Sequence, residues 1–315
     1  MITEIGKDIE RAAALLRDGG LVAIPTETVY GLAANAFDAD AVLRIFRVKE
    51  RPAFDPLIVH VHDRAQADAV AHVTPWAKEL ILNFWPGPIT LVLPKKPSVP
   101  DIVTSGLDTV GVRIPAHPMA QDLLRALDFP LAAPSANPFG YVSPTTARHV
   151  ADQLGGKIPY ILDGGPCMVG VESTIVGEED GRIVLYRSGG VPKEAIEAVL
   201  GPLGGAVRKV MPVAPGMLDS HYAPRKPVLI GDVNALVRAH VGKRCAVIAF
   251  RDRWDAWRCE TLSTSGDLSE AARRLFAVLR ELDASNADLI IAERFPEEGL
   301  GRAINDRLGR AAAKR

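Results

Sequence analysis

Apolar residues recur at helical spacing over residues 9–16, Gly19-Gly20 interrupt them, and an unbroken apolar run, Leu21-Val22-Ala23-Ile24, follows. This predicts a helix stopped by glycine and then a buried strand. Asp38 or Asp40 is placed to cap a second helix that puts Val42, Ile45 and Phe46 on one face and ends before Pro52, leaving Lys49 and Arg51 on the loop beyond. Residues 57–61 alternate as a strand, and a helix over 75–84 leads into a short strand at 90–93. Strands are also predicted at 110–114, 131–133 and 160–162, with a helix over 144–154 capped by Ser143. Helices and strands alternate throughout, so the class is α/β with a mixed twisted sheet.

Residues 173–176 and 183–187 flank Glu178-Glu179-Asp180-Gly181 and read as a hairpin. If it is symmetric about Asp180, Ser173 faces Arg187 across the ladder, unless a one-residue bulge breaks the pairing. Over about 201–225 the chain is rich in glycine and proline and loses its period, as a linker does. Strands at 228–230, 245–250 and 289–292 follow, with an amphipathic helix over 268–282 and a last helix from about 303. The expected division is a first domain over 1–205, a linker or lid over 206–225 and a smaller α/β domain, Rossmann-like, over 226–315.

Composition agrees with two domains. The chain has 315 residues, of which 48% are hydrophobic, enough for a core in each half. Lys plus Arg number 37 against 38 Asp plus Glu, so no global field draws the protein to nucleic acid or membrane, and an anion site must be local. Cys167, Cys245 and Cys259 are odd in number and lack CxxC spacing, which argues against a disulfide framework or zinc ribbon and fits a reducing cytoplasm. No basic leader precedes an apolar core, and no apolar run approaches the roughly 18 residues of a membrane span.

Four segments carry candidate chemistry. In residues 25–32 an extended chain would place Thr26, Thr28 and Tyr30 on one side, either as hydroxyls for a ligand or as a polar sheet edge. Lys49 and Arg51 precede the rigid Pro52 to Pro56 loop. They read either as a phosphate cradle, a point charge beside a planar fork, or as a solvated helix end. His60 and His62 share a strand face, as hydrogen-bonded histidines or as half of a metal pair with no third ligand nearby. Arg113 ends a strand, as a buried ion-pair partner or a carboxylate clamp, and Ser135, Asn137 and Ser143 set small polar groups before a helix start. The signatures of P-loop ATPases, Rossmann dehydrogenases, α/β hydrolases and zincins are all missing.

Taken in order, Pro-Thr-Glu-Thr-Val-Tyr-Gly-Leu at 25–32, Lys-x-Arg-Pro-x-x-x-Pro-Leu-x-x-His at 49–60, Ala-Pro-Ser-Ala-Asn at 133–137 and Glu-Ser-Thr-Ile-Val at 172–176 resemble the Sua5/YrdC/TsaC family. The resemblance covers about residues 5–205. Ser220-His221-Tyr222-Ala223-Pro224 and the unit after it are similar to the two-domain Sua5 type. It implies a cytoplasmic nucleotidyltransferase that makes threonylcarbamoyl-AMP from L-threonine, bicarbonate and ATP with Mg²⁺, releasing pyrophosphate. This is the first stage of t6A formation in tRNA, with a downstream transferase complex and weak tRNA contact as implied partners. By the same resemblance Thr28, His60, Arg113, Ala133 and Ser173 match threonine-contacting positions. Arg51, Asp55, Thr109, Ser135, Ser143, Arg187 and Tyr222 match ATP-lining positions, and Lys49 matches a phosphate-binding lysine; Lys49 and Arg51 are the catalytic candidates. Asp55 departs from the pattern, where Asn is usual. Tyr222 reaching back to the nucleotide would make the linker a lid.

Two other functions compete. An RNA-binding module is disfavoured by the balanced charge and the 6% aromatic content, which supply neither a basic stripe nor stacking platforms. A carbamoyl transferase of the hydrogenase-maturation type would need acylphosphatase-like and zinc-finger segments that the chain lacks.

Overall fold

The computed structural model describes residues 2–205 and 222–313. Most of the expected linker, with Ser220 and His221, lies outside these residues. The described strands form two sheets. The first contains β1 (Glu4–Gly6), β2 (Val22–Ile24), β3 (Gly31–Asn35), β4 (Ile58–His60), β5 (Ile89–Pro94), β6 (Thr109–Arg113), β7 (Leu131–Ala132), β8 (Tyr160–Leu162), β9 (Thr174–Glu179), β10 (Arg182–Arg187) and β11 (Gly204–Gly205). Their order is β1-β8-β2-β3-β7-β4-β6-β5-β9-β10-β11, with parallel and antiparallel neighbours mixed. The second contains β12 (Val228–Ile230), β13 (Cys245–Ala249), β14 (Arg258–Thr261) and β15 (Leu289–Ala292), all parallel, in the order β12-β15-β13-β14. The α/β class and the mixed sheet are as expected from the sequence.

Local chemistry explains where elements begin. Asp38 accepts from the backbone N–H groups of Asp40 and Ala41 and caps the helix Ala39–Lys49, whose Val42, Ile45 and Phe46 are buried. That helix runs through Lys49, which is therefore on its last turn and not on the loop. The helix expected from Pro144 instead spans Ala147–Leu154, capped by the Thr146 hydroxyl, which accepts from His149 N at 3.2 Å. The Pro144 carbonyl accepts from Tyr30 N at 2.9 Å, which ties that proline to the 25–30 loop outside the helix. The Ser143 hydroxyl is engaged elsewhere.

The hairpin register differs from the symmetric expectation. Arg182 pairs with Glu179 across a two-residue Asp180-Gly181 turn, and an irregularity between Leu185 and Arg187 sets Arg187 opposite Ile175. Ser173 and Arg187 still meet, because the guanidinium reaches past one position.

The two units share apolar packing. Val29, Val142 and Val171 of the first belong to the same buried cluster as Leu275, Phe276 and Leu279 of the helix Leu268–Ala284. Gly170, at φ 79°, passes so close to that helix that a Cβ would stand 2.3 Å from Arg273 Cα. Arg280 of the same helix donates to the carbonyls of Val142 and Ser143 and lies over the Tyr141 ring. The second unit is thus fastened to the segments just before and after the site loops. No helix among the described residues is long and apolar enough to cross a membrane.

Candidate active site

The strand ends carrying His60, Arg113 and Arg187 converge with the 25–30, 133–137 and 170–173 loops on one cavity. Thr28, Arg51, His60, Arg113, Ala133, Ser135, Ser173, Arg187 and Tyr222 all line it.

One side is built around Arg113. Its Nη2 pairs with Glu27 Oε1 at 2.6 Å, its Nη1 donates to Thr28 Oγ1 at 2.9 Å, and its Nε donates to the Gly87 carbonyl at 3.2 Å. The Thr26 hydroxyl donates to the Val29 carbonyl at 2.6 Å, so the 2.8 Å contact between Thr26 and Thr28 is donated by Thr28. The Thr28 oxygen is then fixed as an acceptor toward Arg113. Beside them His60 is buried, and its pKa is pushed down to about 3 by burial and then by Arg113, so it is neutral at physiological pH. Arg113 is a buried ion-pair partner, one of its two readings, and it also lines the cavity.

The other side gathers cations. Arg51 donates to the Asp55 and Pro56 carbonyls and pairs with the Asp55 carboxylate at 2.8 Å. Asp55 is fully buried behind it, and burial raises its pKa against the pull of Arg51, Lys49 and Arg187. Arg187 donates to the Ser173 carbonyl at 2.9 Å and to its hydroxyl at 3.1 Å, and Thr90 shares that hydroxyl at 2.8 Å. Burial lowers the pKa of Arg51 and Arg187, as it does for cations held out of water, and both line the cavity.

Not every sequence candidate reaches the cavity. Lys49 Nζ turns to the Ser135 and Asn137 carbonyls, the former at 2.6 Å, and so holds the 133–137 loop; burial and then Arg51 lower its pKa. Tyr30 points away, donating to the Gly165 carbonyl at 2.7 Å, so the three hydroxyls of the loop do not share one side. Ser143 is buried and donates to Glu172 Oε1 at 2.6 Å. Thr109 sits at the opposite end of β6 from Arg113, about 13 Å along a strand, and lines a different depression with Trp76 and Tyr186. His62 contacts Gln66 and Asp63, and among the described residues no group of three His, Cys, Asp or Glu is arranged to hold a metal.

Glu27 and Glu172 went unremarked as site residues. Each lies inside a motif quoted above, and the available signal was that a carboxylate among apolar neighbours needs a cation, which periodicity does not locate.

A family model described as "Telomere recombination", Sua5/YciO/YrdC, matches residues 14–189, and one described as "Threonylcarbamoyl-AMP synthase, C-terminal domain" matches 191–313. The chain belongs to the Sua5/YrdC family. It is 44% identical to the threonylcarbamoyl-AMP synthase of Bacillus subtilis, over 98% of this chain and 93% of that one. It is 43% identical to that of Pyrococcus abyssi, over 98% and 94%. It superposes on the crystal structure of P. abyssi Sua5 complexed with L-threonine with a TM-score of 0.93 at 42% identity, covering 99% and 98% of the two chains. In this Sua5/YrdC member the four motifs that carry the resemblance meet around one cavity, although they are spread along the sequence from residue 25 to residue 176.

Proposed function

We propose that the cavity joins L-threonine, bicarbonate and ATP into threonylcarbamoyl-AMP with release of pyrophosphate. The observation that carries this reading is the division of one cavity between an arginine fork held by Thr28 and Glu27 and a group of buried arginines, in a chain of this family.

Threonine's carboxylate pairs with Arg113, and neutral His60 and Ser173 meet its polar groups. Its amine attacks the carbon of bicarbonate, water leaves, and an N-carboxythreonine forms. A carboxylate oxygen of that carbamate attacks the α-phosphorus of ATP while the bond to the bridging oxygen breaks, and the electron pair departs with pyrophosphate. Arg51 and Arg187 face the phosphates and neutralise charge as it grows, while Asp55 holds Arg51 in place. Lys49 contributes by fixing the loop that carries Ala133 and Ser135. No covalent enzyme intermediate is needed, so positioning and exclusion of water from the labile carbamate suffice. The Glu27, Asp55 and Glu172 carboxylates are already paired with arginines, so Mg²⁺ brought with ATP would find its ligands on the substrate and would supply charge neutralisation there. On this reading the product passes to a transferase that acts on tRNA, in the cytoplasm.

Omitting one substrate at a time tests the reading. Pyrophosphate release should require threonine, bicarbonate and ATP together; release that persists without threonine or without bicarbonate contradicts it.

A further inference from the structure

Glu172 is a carboxylate in the wall of a cavity that, on the synthase reading, receives a triphosphate. An unbalanced negative charge there opposes the nucleotide. Its Oε1 accepts from Ser143, and its Oε2 accepts from Arg307 Nε at 2.7 Å. Arg307 belongs to the helix Gly301–Ala312, the last element of the second unit, and is fully buried. Its guanidinium lies 5.1 Å from the centre of the Tyr222 ring, which stacks on Phe276 at 5.6 Å and itself lines the cavity. Tyr222 is held at φ 59°, a left-handed backbone rare for an aromatic residue and characteristic of segments fixed by function. A cation from the second unit thus neutralises a carboxylate of the first, at the point where both touch the site.

We propose that Arg307 is a positioning residue for the nucleotide: by neutralising Glu172 and seating Tyr222 it makes ATP affinity depend on docking of the C-terminal unit. This rests on the synthase reading for the identity of the ligand. A purely mechanical clamp between domains already exists in Arg280 and Arg302, the latter pairing with Glu194 away from the cavity. Arg307 differs in acting on a wall residue. Among the described residues the charged and titratable groups facing Glu172 are Arg307, with Asp306 and its partner Arg310 behind it, Arg187 and Tyr222. Without Arg307, Asp306 keeps Arg310 at 3.0 Å, but among the described residues Glu172 is left with Arg187 alone to offset it.

The test compares Arg307→Met, Arg307→Lys and the double variant Glu172→Gln/Arg307→Met in the full chain. ATP binding is followed by calorimetry, KM is measured for ATP and for threonine, and folding is checked by thermal melting. Arg307→Met should weaken ATP by about tenfold or more near pH 8 while threonine KM changes by less than about twofold. Arg307→Lys should keep most of the affinity, and the double variant should return to within about threefold of the parent. A well-folded Arg307→Met that binds ATP like the parent, or that loses both substrates equally, overturns the proposal. If Arg307→Met does not fold, the double variant decides, since it buries no unpaired charge: near-parental ATP affinity supports the proposal and weak affinity overturns it. Parent protein that makes no threonylcarbamoyl-AMP would sink the synthase reading instead, leaving calorimetry, which needs no turnover, to judge Arg307.

Discussion

Replacing Arg113 by lysine keeps the charge and removes the fork. In the parent the guanidinium serves Glu27 at 2.6 Å, Thr28 at 2.9 Å and the Gly87 carbonyl at 3.2 Å from three different nitrogens. One ammonium cannot stand at all three places and stays with Glu27, the only opposite charge among them. Leaving Gly87 without its donor costs about 1 kcal/mol of stability, small enough for the protein to remain folded. The larger loss is the arm offered to threonine. A hydrogen bond between charged groups is worth about 1.5–3 kcal/mol, so threonine affinity should fall roughly 10- to 150-fold. Initial rates of pyrophosphate release, measured against threonine at saturating ATP and then the reverse, separate the substrates. Threonine KM should rise by that factor with ATP KM nearly unchanged. A threonine KM within about twofold of the parent, or an equal rise for ATP, would refute the placement of threonine at Arg113.

Thr28→Val keeps the shape but removes the oxygen that orients Arg113, so threonine KM should rise roughly 5- to 20-fold with melting temperature little changed. His60 has a folded pKa near 3 against 6.5 for the free side chain, so its contribution to stability is complete above pH 6.5 and is lost as pH falls toward 3. His60→Gln should therefore flatten the fall of melting temperature across that window, at about 1.4 kcal/mol per pH unit, and a curve parallel to the parent's would contradict the burial argument. Gly170→Ala places a methyl 2.3 Å from the Arg273 backbone at a left-handed φ, so it should cost about 3 kcal/mol or more and free the second unit for proteolysis before the first. Unchanged protease resistance would show that the close approach is not needed for docking.

Elements with local causes were legible in the sequence. The Asp38 cap, the helix Pro75–Phe84 and the strands Tyr160–Leu162 and Leu289–Ala292 follow from residues a few positions apart. Ser143 looked like a helix cap by spacing, but its best acceptor was Glu172, 29 residues on, and Thr146 capped the helix instead. Arg187 was expected opposite Ser173; the two-residue turn and an irregularity in the ladder together moved it two places, opposite Ile175, and its long side chain made the contact regardless. β1 was missed because Glu4, Ile5 and Gly6 carry no strand pattern and pair only with β8, more than 150 residues away. Arg307 could not be connected with Glu172, because nothing local relates positions 135 residues apart. Lys49 was expected to bind phosphate from a loop, and only the fold shows that it ends a helix and that its nitrogen serves two loop carbonyls.

The most direct test of the central claim is the mass of the nucleotide made from ATP and L-threonine with isotopically heavy bicarbonate. The account predicts threonylcarbamoyl-AMP carrying one heavy carbon, formed in step with pyrophosphate. AMP or ADP alone, or a threonine adduct without the heavy carbon, would contradict it.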